Sequence, residues 1–277
     1  MSDLRFILII PFYNAHDYLQ ECLDSVIMQT HRNWLAVCAD DHSEDGSSDL
    51  ISEDSRLIKR NNNQRLTGLP NIYQAITSSG IVYQDDDVIC ILDGDDKFLH
   101  PYSLSIINEI YNSHPGCLLT YGQYMTSNGR LGHCREFSEW EFESLREGHF
   151  WVSHLKTFKW KLYREFLQQD PGQVSYKGRD GIFFTVAYDI AIMYPLLEIA
   201  GFDNIRFNKH PVYWYRIYDK NDSFIDLQKQ RDTEMEIRSK PRFKRAFTPV
   251  FRRSFAHQMR RSLSSVKHRL FKQKDRN

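Results

Sequence analysis

Five consecutive apolar residues, Phe6-Ile7-Leu8-Ile9-Ile10, end at Pro11 and give way at once to polar chain. A strand with one wet face alternates apolar and polar residues. An unbroken apolar run fits a strand covered on both faces, as in a parallel sheet between two helical layers. The chain repeats the pattern. His16 to Gln29 carries Leu19, Cys22, Leu23, Val26 and Ile27 at the spacing of an amphipathic helix. Trp34 to Ala39 reads as a second strand, Leu57 to Arg60 as a weak third, Asp87 to Leu92 as a buried fourth and Cys117 to Tyr124 as a later one. Helices are expected over 70–78, with Pro70 near the first turn, and over 100–112. Ser47 or Ser48 is placed to cap a further helix. Alternating β and α elements predict an α/β fold: a Rossmann-like, doubly wound, mostly parallel central sheet with helices on both faces.

The second half is less regular and rich in aromatic residues, with a helix expected over 190–200, stopped by Gly201, and a strand over 211–217. The chain has a formal net charge of zero, which argues against a nucleic-acid partner for the molecule as a whole. The zero conceals an asymmetry. Residues 240–277 hold thirteen Lys or Arg and one acid, Asp275, leaving 23 basic and 35 acidic side chains in residues 1–239, a net of −12. The expected organisation is therefore a globular domain over 1–239, with halves 1–125 and 126–239, and a basic helical extension over 240–277. In that extension Phe247, Phe251, Phe255, Met259, Leu263, Val266 and Leu270 share one helical stripe opposite a cationic face. Such a helix suits an anionic membrane surface, a partner's groove, the domain's own acidic surface or, least of all, nucleic acid. The five cysteines form no CxxC pair and read as reduced structural thiols. No segment resembles a signal peptide or a membrane span, so the expected location is cytoplasmic, at most peripheral to a membrane.

In an open α/β sheet, ligands bind in the crevice beyond the carboxyl ends of the strands. Three polar clusters fall at such ends: Pro11-Phe12-Tyr13-Asn14, Asp40-Asp41 and Asp93-Gly94-Asp95-Asp96. Three carboxylates within four residues repel one another unless a cation compensates, and Mg²⁺ or Mn²⁺ commonly bridges such groups to substrate phosphates. Gly94 would let the backbone approach a ligand closely. An acidic turn would use the same residue types, but it would not explain why all three clusters follow buried strands. Asp41 can accept an N–H from a uracil-like base edge or simply cap its loop, and Tyr13 can stack on such a base.

The run Ile9-Ile10-Pro11-Phe12-Tyr13-Asn14-Ala15, then Tyr18-Leu19, Cys22 to Val26 and Gln29-Thr30, Asp40 to Ser47, and Leu92 to Asp96, resembles glycosyltransferase family 2, of the GT-A fold. The matches lie in family order across residues 5–105. The resemblance implies a nucleotide-sugar donor, more often UDP-linked, held by Pro11, Tyr13, Asn14 and Asp41. It makes Asp93-Gly94-Asp95 a DxD motif for ribose and diphosphate, with Asp95 or Asp96 as the main ligand of Mn²⁺ or Mg²⁺. Where the family often has Arg-Asn, this chain has Pro70-Asn71: Asn71 matches, and Arg65 or Lys59 is left to supply positive charge. The family's general base is usually the Asp of a Glu-Asp pair opening a helix. Here that position is Tyr188-Asp189, with Asp180 as the fallback, and Asp189 could equally be a helix cap. Arg216 stands where relatives place a basic residue near the diphosphate. Trp151, His154, Lys156, Phe158 and Trp160 fit either a wall for a sugar acceptor or a core patch. The implied reaction is metal-dependent inverting transfer to a hydroxyl of a glycan, lipid-linked glycan or protein. A catalytically idle carbohydrate-binding scaffold, or transfer to a nucleic-acid base, uses the same features.

Overall fold

The computed structural model describes residues 2–218 and 227–248. Along the chain run β1 (Phe6–Phe12), α1 (His16–Ile27), β2 (Trp34–Asp40), β3 (Leu57–Asn61), α2 (Gly68–Thr77), β4 (Val88–Ile91), β5 (Lys97–Phe98) and α3 (Ser103–Ser113). They are followed by β6 (Leu119–Thr126), α4 (Glu139–Glu143), β7 (Lys156–Lys159), α5 (Trp160–Gln169), α6 (Tyr188–Ala200), β8 (Ile205–Tyr215) and α7 (Leu227–Ser239). The strands form one sheet in the order β3-β2-β1-β4-β7-β6-β8-β5.

The apolar run of β1 divides as two-sided burial requires. Ile7 and Ile9 enter one core with α2, α5 and α6, whereas Phe6, Leu8 and Ile10 enter the other with α1 and α3. All five are fully buried, and each such side chain contributes about 1.5–3 kcal/mol relative to exposure. The parallel character holds for β3-β2-β1-β4 and for β6-β8. Between these groups lies β7, antiparallel to both β4 and β6, which the sequence pattern did not reveal. The register Ile91↔Lys156 and Val88↔Lys159 fixes its ends: Lys156 lies at the carboxyl end of β4, Lys159 at its start.

The capping helix expected at Ser47 or Ser48 is a short 3₁₀ turn, Ser47–Leu50, and neither serine caps it. The loop serves α1 instead. Ser47 Oγ accepts the Ala15 N–H at 2.8 Å, and Asp45 accepts that of His16 at 2.9 Å, satisfying donors at a helix start where Ala15 offers no cap of its own.

The chain divides into two compact units, Met1–Phe247 and Thr248–Asn277. Residues 240–247 belong to the first. Phe243 and Phe247 pack on the core, and Glu198 accepts the Phe243 N–H at 2.9 Å. The amphipathic pattern from Phe251 onward lies outside the described residues. No described helix is long and apolar enough to cross a membrane.

Candidate active site

The three polar clusters meet. Asp41 donates its N–H to Phe12 at 2.9 Å, and Gly94 donates to Pro11 at 3.0 Å, so the ends of β1, β2 and β4 form one ledge. Gly94 is required by the scaffold itself: a Cβ there would stand 2.7 Å from the Phe12 Cβ and 3.1 Å from the Pro11 carbonyl. Around the ledge, Asn14, His42, Thr67 and Ala187 adopt left-handed backbone with φ of 46°, 69°, 77° and 53°. Non-glycine residues in that region cost about 1–3 kcal/mol each and gather where function constrains the chain.

On the β2 side, Asp41 is buried and accepts from Asn62 Nδ2 (2.9 Å), Leu66 N–H (2.7 Å) and Thr67 N–H (2.8 Å). Asn71 lies beneath it, donating to the Ala39 carbonyl at 2.9 Å and accepting from Asn62 at 3.0 Å. Asn14 accepts the Glu44 N–H at 2.9 Å, joining the first two loops. All three carboxylate or amide groups are therefore already bonded within the protein. Tyr13 remains 37% exposed, with the Arg65 guanidinium 3.8 Å above its ring. Of the two cations considered beside Asn71, Arg65 thus reaches the ledge, while Lys59 faces Asp49 at 3.9 Å.

The acidic turn is enclosed by β8 and the segment leading into β7. Tyr213 donates its hydroxyl to Asp96 at 2.6 Å, and the Arg216 N–H reaches the same carboxylate at 2.7 Å. Arg216 Nε also donates to the Asp95 carbonyl at 2.8 Å, clasping the turn. Asp95 turns outward to the Tyr218 hydroxyl at 2.8 Å. Asp93 faces His154, Nε2 to Oδ2 at 3.4 Å. One ligand atom each from Asp93, Asp96 and His154 falls within 4.8 Å of the others. Sequence left Asp95 and Asp96 as alternative metal ligands; the side chains that converge are Asp96, Asp93 and His154, while Asp95 accepts from Tyr218. Two oxygens and one imidazole nitrogen suit Mn²⁺, and the fit is also electrostatic. Burial pushes Asp93 up, but His154, Lys156 and Tyr213 outweigh it and hold the carboxyl down to about 2. Burial and then the charge of Asp93 raise Asp95, and burial followed by Asp95 and Asp93 pushes Asp96 well up. A cation at this point would relieve both.

Asp189 lies in the first turn of α6, 38% exposed at its side chain, with Lys156 Nζ bound to its Oδ1 at 2.5 Å. Lys156 itself is 1% exposed. Burial alone would lower its ammonium, yet Asp189, Asp93 and Asp96 outweigh that and raise it. The fallback Asp180 instead closes a turn, accepting the Ile182 N–H at 2.9 Å.

The acceptor-wall residues separate. His154 is buried, stacked on Tyr213 at 4.4 Å and set against Asp93. Trp151 lies nearer the surface between Arg135, at 4.0 Å, and His149, at 4.1 Å. Trp160 lies apart from them. It follows Lys159 at the opposite end of β4 from Asp93, stacked on Tyr83 at 4.1 Å, because four residues of antiparallel strand carry the chain about 13 Å away. The sequence places Lys156 only in the acceptor wall and gives Tyr213 no role, because neither residue type nor spacing says which carboxylates the two side chains touch.

The model of glycosyl transferase family 2 matches residues 7–170. Glycosyltransferase GlyA of Streptococcus pneumoniae serotype 4 is 28% identical over 200 residues, covering 65% of this chain and 27% of GlyA. The chain thus spans about a quarter of that relative's length. Among solved structures, TarS 1–349 of S. aureus in complex with UDP-GlcNAc superposes with a TM-score of 0.57 at 16% identity, covering 79% of this chain and 60% of that one. Glucosyl-3-phosphoglycerate synthase from Mycobacterium tuberculosis, in complex with Mn²⁺, UDP and phosphoglyceric acid, gives 0.58 at 13% identity, covering 86% and 80%. At such identities the likeness establishes the fold, which is GT-A. With more than half its length matched by the family model and the family's strand-end clusters gathered on one ledge, the chain belongs to glycosyl transferase family 2.

Proposed function

We propose that this chain is a metal-dependent, inverting glycosyltransferase that moves a sugar from a UDP-sugar to an acceptor hydroxyl on a glycan, lipid-linked glycan or protein. The observation that carries the reading is the convergence of Asp93, Asp96 and His154 at the end of β4, with Asp189 joined to the same region through Lys156. Tyr13 and the Asp41 loop offer the base-binding edge, and residues 1–125 supply most of the donor site. Asp93, Asp96 and His154 would hold Mn²⁺ or Mg²⁺, which supplies positive charge to the departing diphosphate. Asp189 takes the proton of the acceptor hydroxyl. The acceptor oxygen then bonds the anomeric carbon on the face opposite the diphosphate, whose C–O bond breaks and leaves with its electron pair. Attack from the opposite face inverts the anomeric centre.

The relatives support the donor class: the TarS complex contains UDP-GlcNAc, and the synthase complex contains UDP with Mn²⁺. The test is UDP or GDP release from a panel of UDP- and GDP-sugars, with water as acceptor, in Mn²⁺ and in EDTA. Metal-dependent release from a UDP-sugar is expected. Release unaffected by EDTA, or none from any donor, would refute the proposal. Asp189→Asn should slow release by about 10²–10⁴-fold while UDP and Mn²⁺ still bind.

A further inference from the structure

We propose that Lys156 is the positioning residue for the Asp189 base, fixing one carboxylate oxygen and tying the base to the strand end that carries the acidic turn. The inference rests on the reading of Asp189 given above.

Three observations converge on it. The register Ile91↔Lys156 places the lysine beside the last residue of β4, two positions before Asp93. Its ammonium binds Asp189 Oδ1 at 2.5 Å across 33 residues of sequence, so strand β7 and helix α6 are joined at the site. The two side chains differ in setting: Lys156 is 1% exposed on its side chain, and Asp189 is 38% exposed. A carboxylate with one oxygen anchored inward and the remainder open to solvent is the arrangement a base needs to meet an incoming hydroxyl in a single orientation. Stability gives no comparable reason for the lysine. An apolar side chain of similar volume usually serves a fold as well as a buried ion pair. Removing the cation leaves Asp189 able to solvate, whereas Asp93 and the buried Asp96 lose a neighbouring positive charge that only a bound cation could replace.

With Mn²⁺ present to compensate the acidic turn, Lys156→Met tests the role. Methionine keeps the unbranched chain, one atom shorter, and loses the charge and the hydrogen bond. The readouts are UDP release from UDP-glucose and UDP-N-acetylglucosamine with Mn²⁺, calorimetric binding of UDP with Mn²⁺, and the melting curve. The expected result is a kcat about 10²-fold lower. KM for the donor and UDP affinity should stay within about threefold. The double variant Lys156→Met/Asp189→Asn should be no slower than Asp189→Asn alone, because the lysine acts through the carboxylate. Lys156→Gln, which keeps a donor without charge, should lose less and serves if the methionine variant does not fold.

Unchanged kcat in Lys156→Met beside a disabled Asp189→Asn would overturn the positioning role and leave the base assignment standing. So would a parallel loss of UDP affinity, which would put the lysine at the donor, or full additivity in the double variant. If Asp189→Asn alone releases UDP at the normal rate, the base assignment itself fails and takes this inference with it.

Discussion

Gly94→Ala tests whether the acidic turn is held in place by its contact with β1. The new Cβ would stand 2.7 Å from the Phe12 Cβ and 3.1 Å from the Pro11 carbonyl, against 3.4 Å at the start of ordinary contact. Neither neighbour can rotate away. Phe12 is a buried strand residue, and the Pro11 carbonyl already accepts the Gly94 N–H at 3.0 Å. The turn must therefore retreat by about 0.7 Å, the shortfall between those distances, and forced overpacking of this kind costs about 1–3 kcal/mol. For a chain of 277 residues that corresponds to a fall in Tm of about 2–12 °C. The functional loss should be larger. Asp93 and Asp95 flank the glycine, and Asp93 must meet Asp96 and His154 within 4.8 Å to share an ion. A displacement approaching 1 Å can cost about 10²-fold in rate. Thermal melting in EDTA isolates the packing cost, and Mn²⁺ titration with UDP present reports the site. A variant that melts as the parent does and keeps its Mn²⁺ affinity would show that the close approach at Gly94 is not what positions the acidic turn.

Two further substitutions probe the surroundings. Tyr213→Phe removes the hydroxyl that donates to Asp96 at 2.6 Å and accepts the Asp93 N–H at 3.3 Å, and should cost about 1.5–3 kcal/mol in EDTA; urea unfolding unchanged from the parent would contradict it. Glu198→Gln leaves Arg146 buried without its bidentate partner, the two contacts being 2.6 and 2.8 Å at 5% and 8% side-chain exposure, so a loss of about 3–5 kcal/mol is expected. Arg146 also donates to the Ile237 and Lys240 carbonyls, so the segment after α7 should become protease-sensitive in the same variant; intact resistance would argue that Phe243 and Phe247 hold it unaided.

The strands of the first half and the polar clusters at their ends were legible in the chain alone. β1, β2 and β4 were legible because a strand covered on both faces must be apolar throughout, a local and continuous signal. The polar clusters that stop those strands therefore fall at the carboxyl edge of the sheet on the sequence pattern alone. The other wall of that edge depends on long-range packing. β7 reads Lys-Thr-Phe-Lys, which no periodicity marks as a buried strand. It is buried because distant partners neutralise it: Asp189 for Lys156, 33 residues away, and Asp86 for Lys159, 73 residues away. Its antiparallel course brings His154 and Lys156 to the acidic turn and carries Trp160 to the far end of the sheet. Chemistry supplied by short, apolar, contiguous segments is written in the sequence. Chemistry supplied by charges that tolerate burial only in pairs exists once the pairs have met.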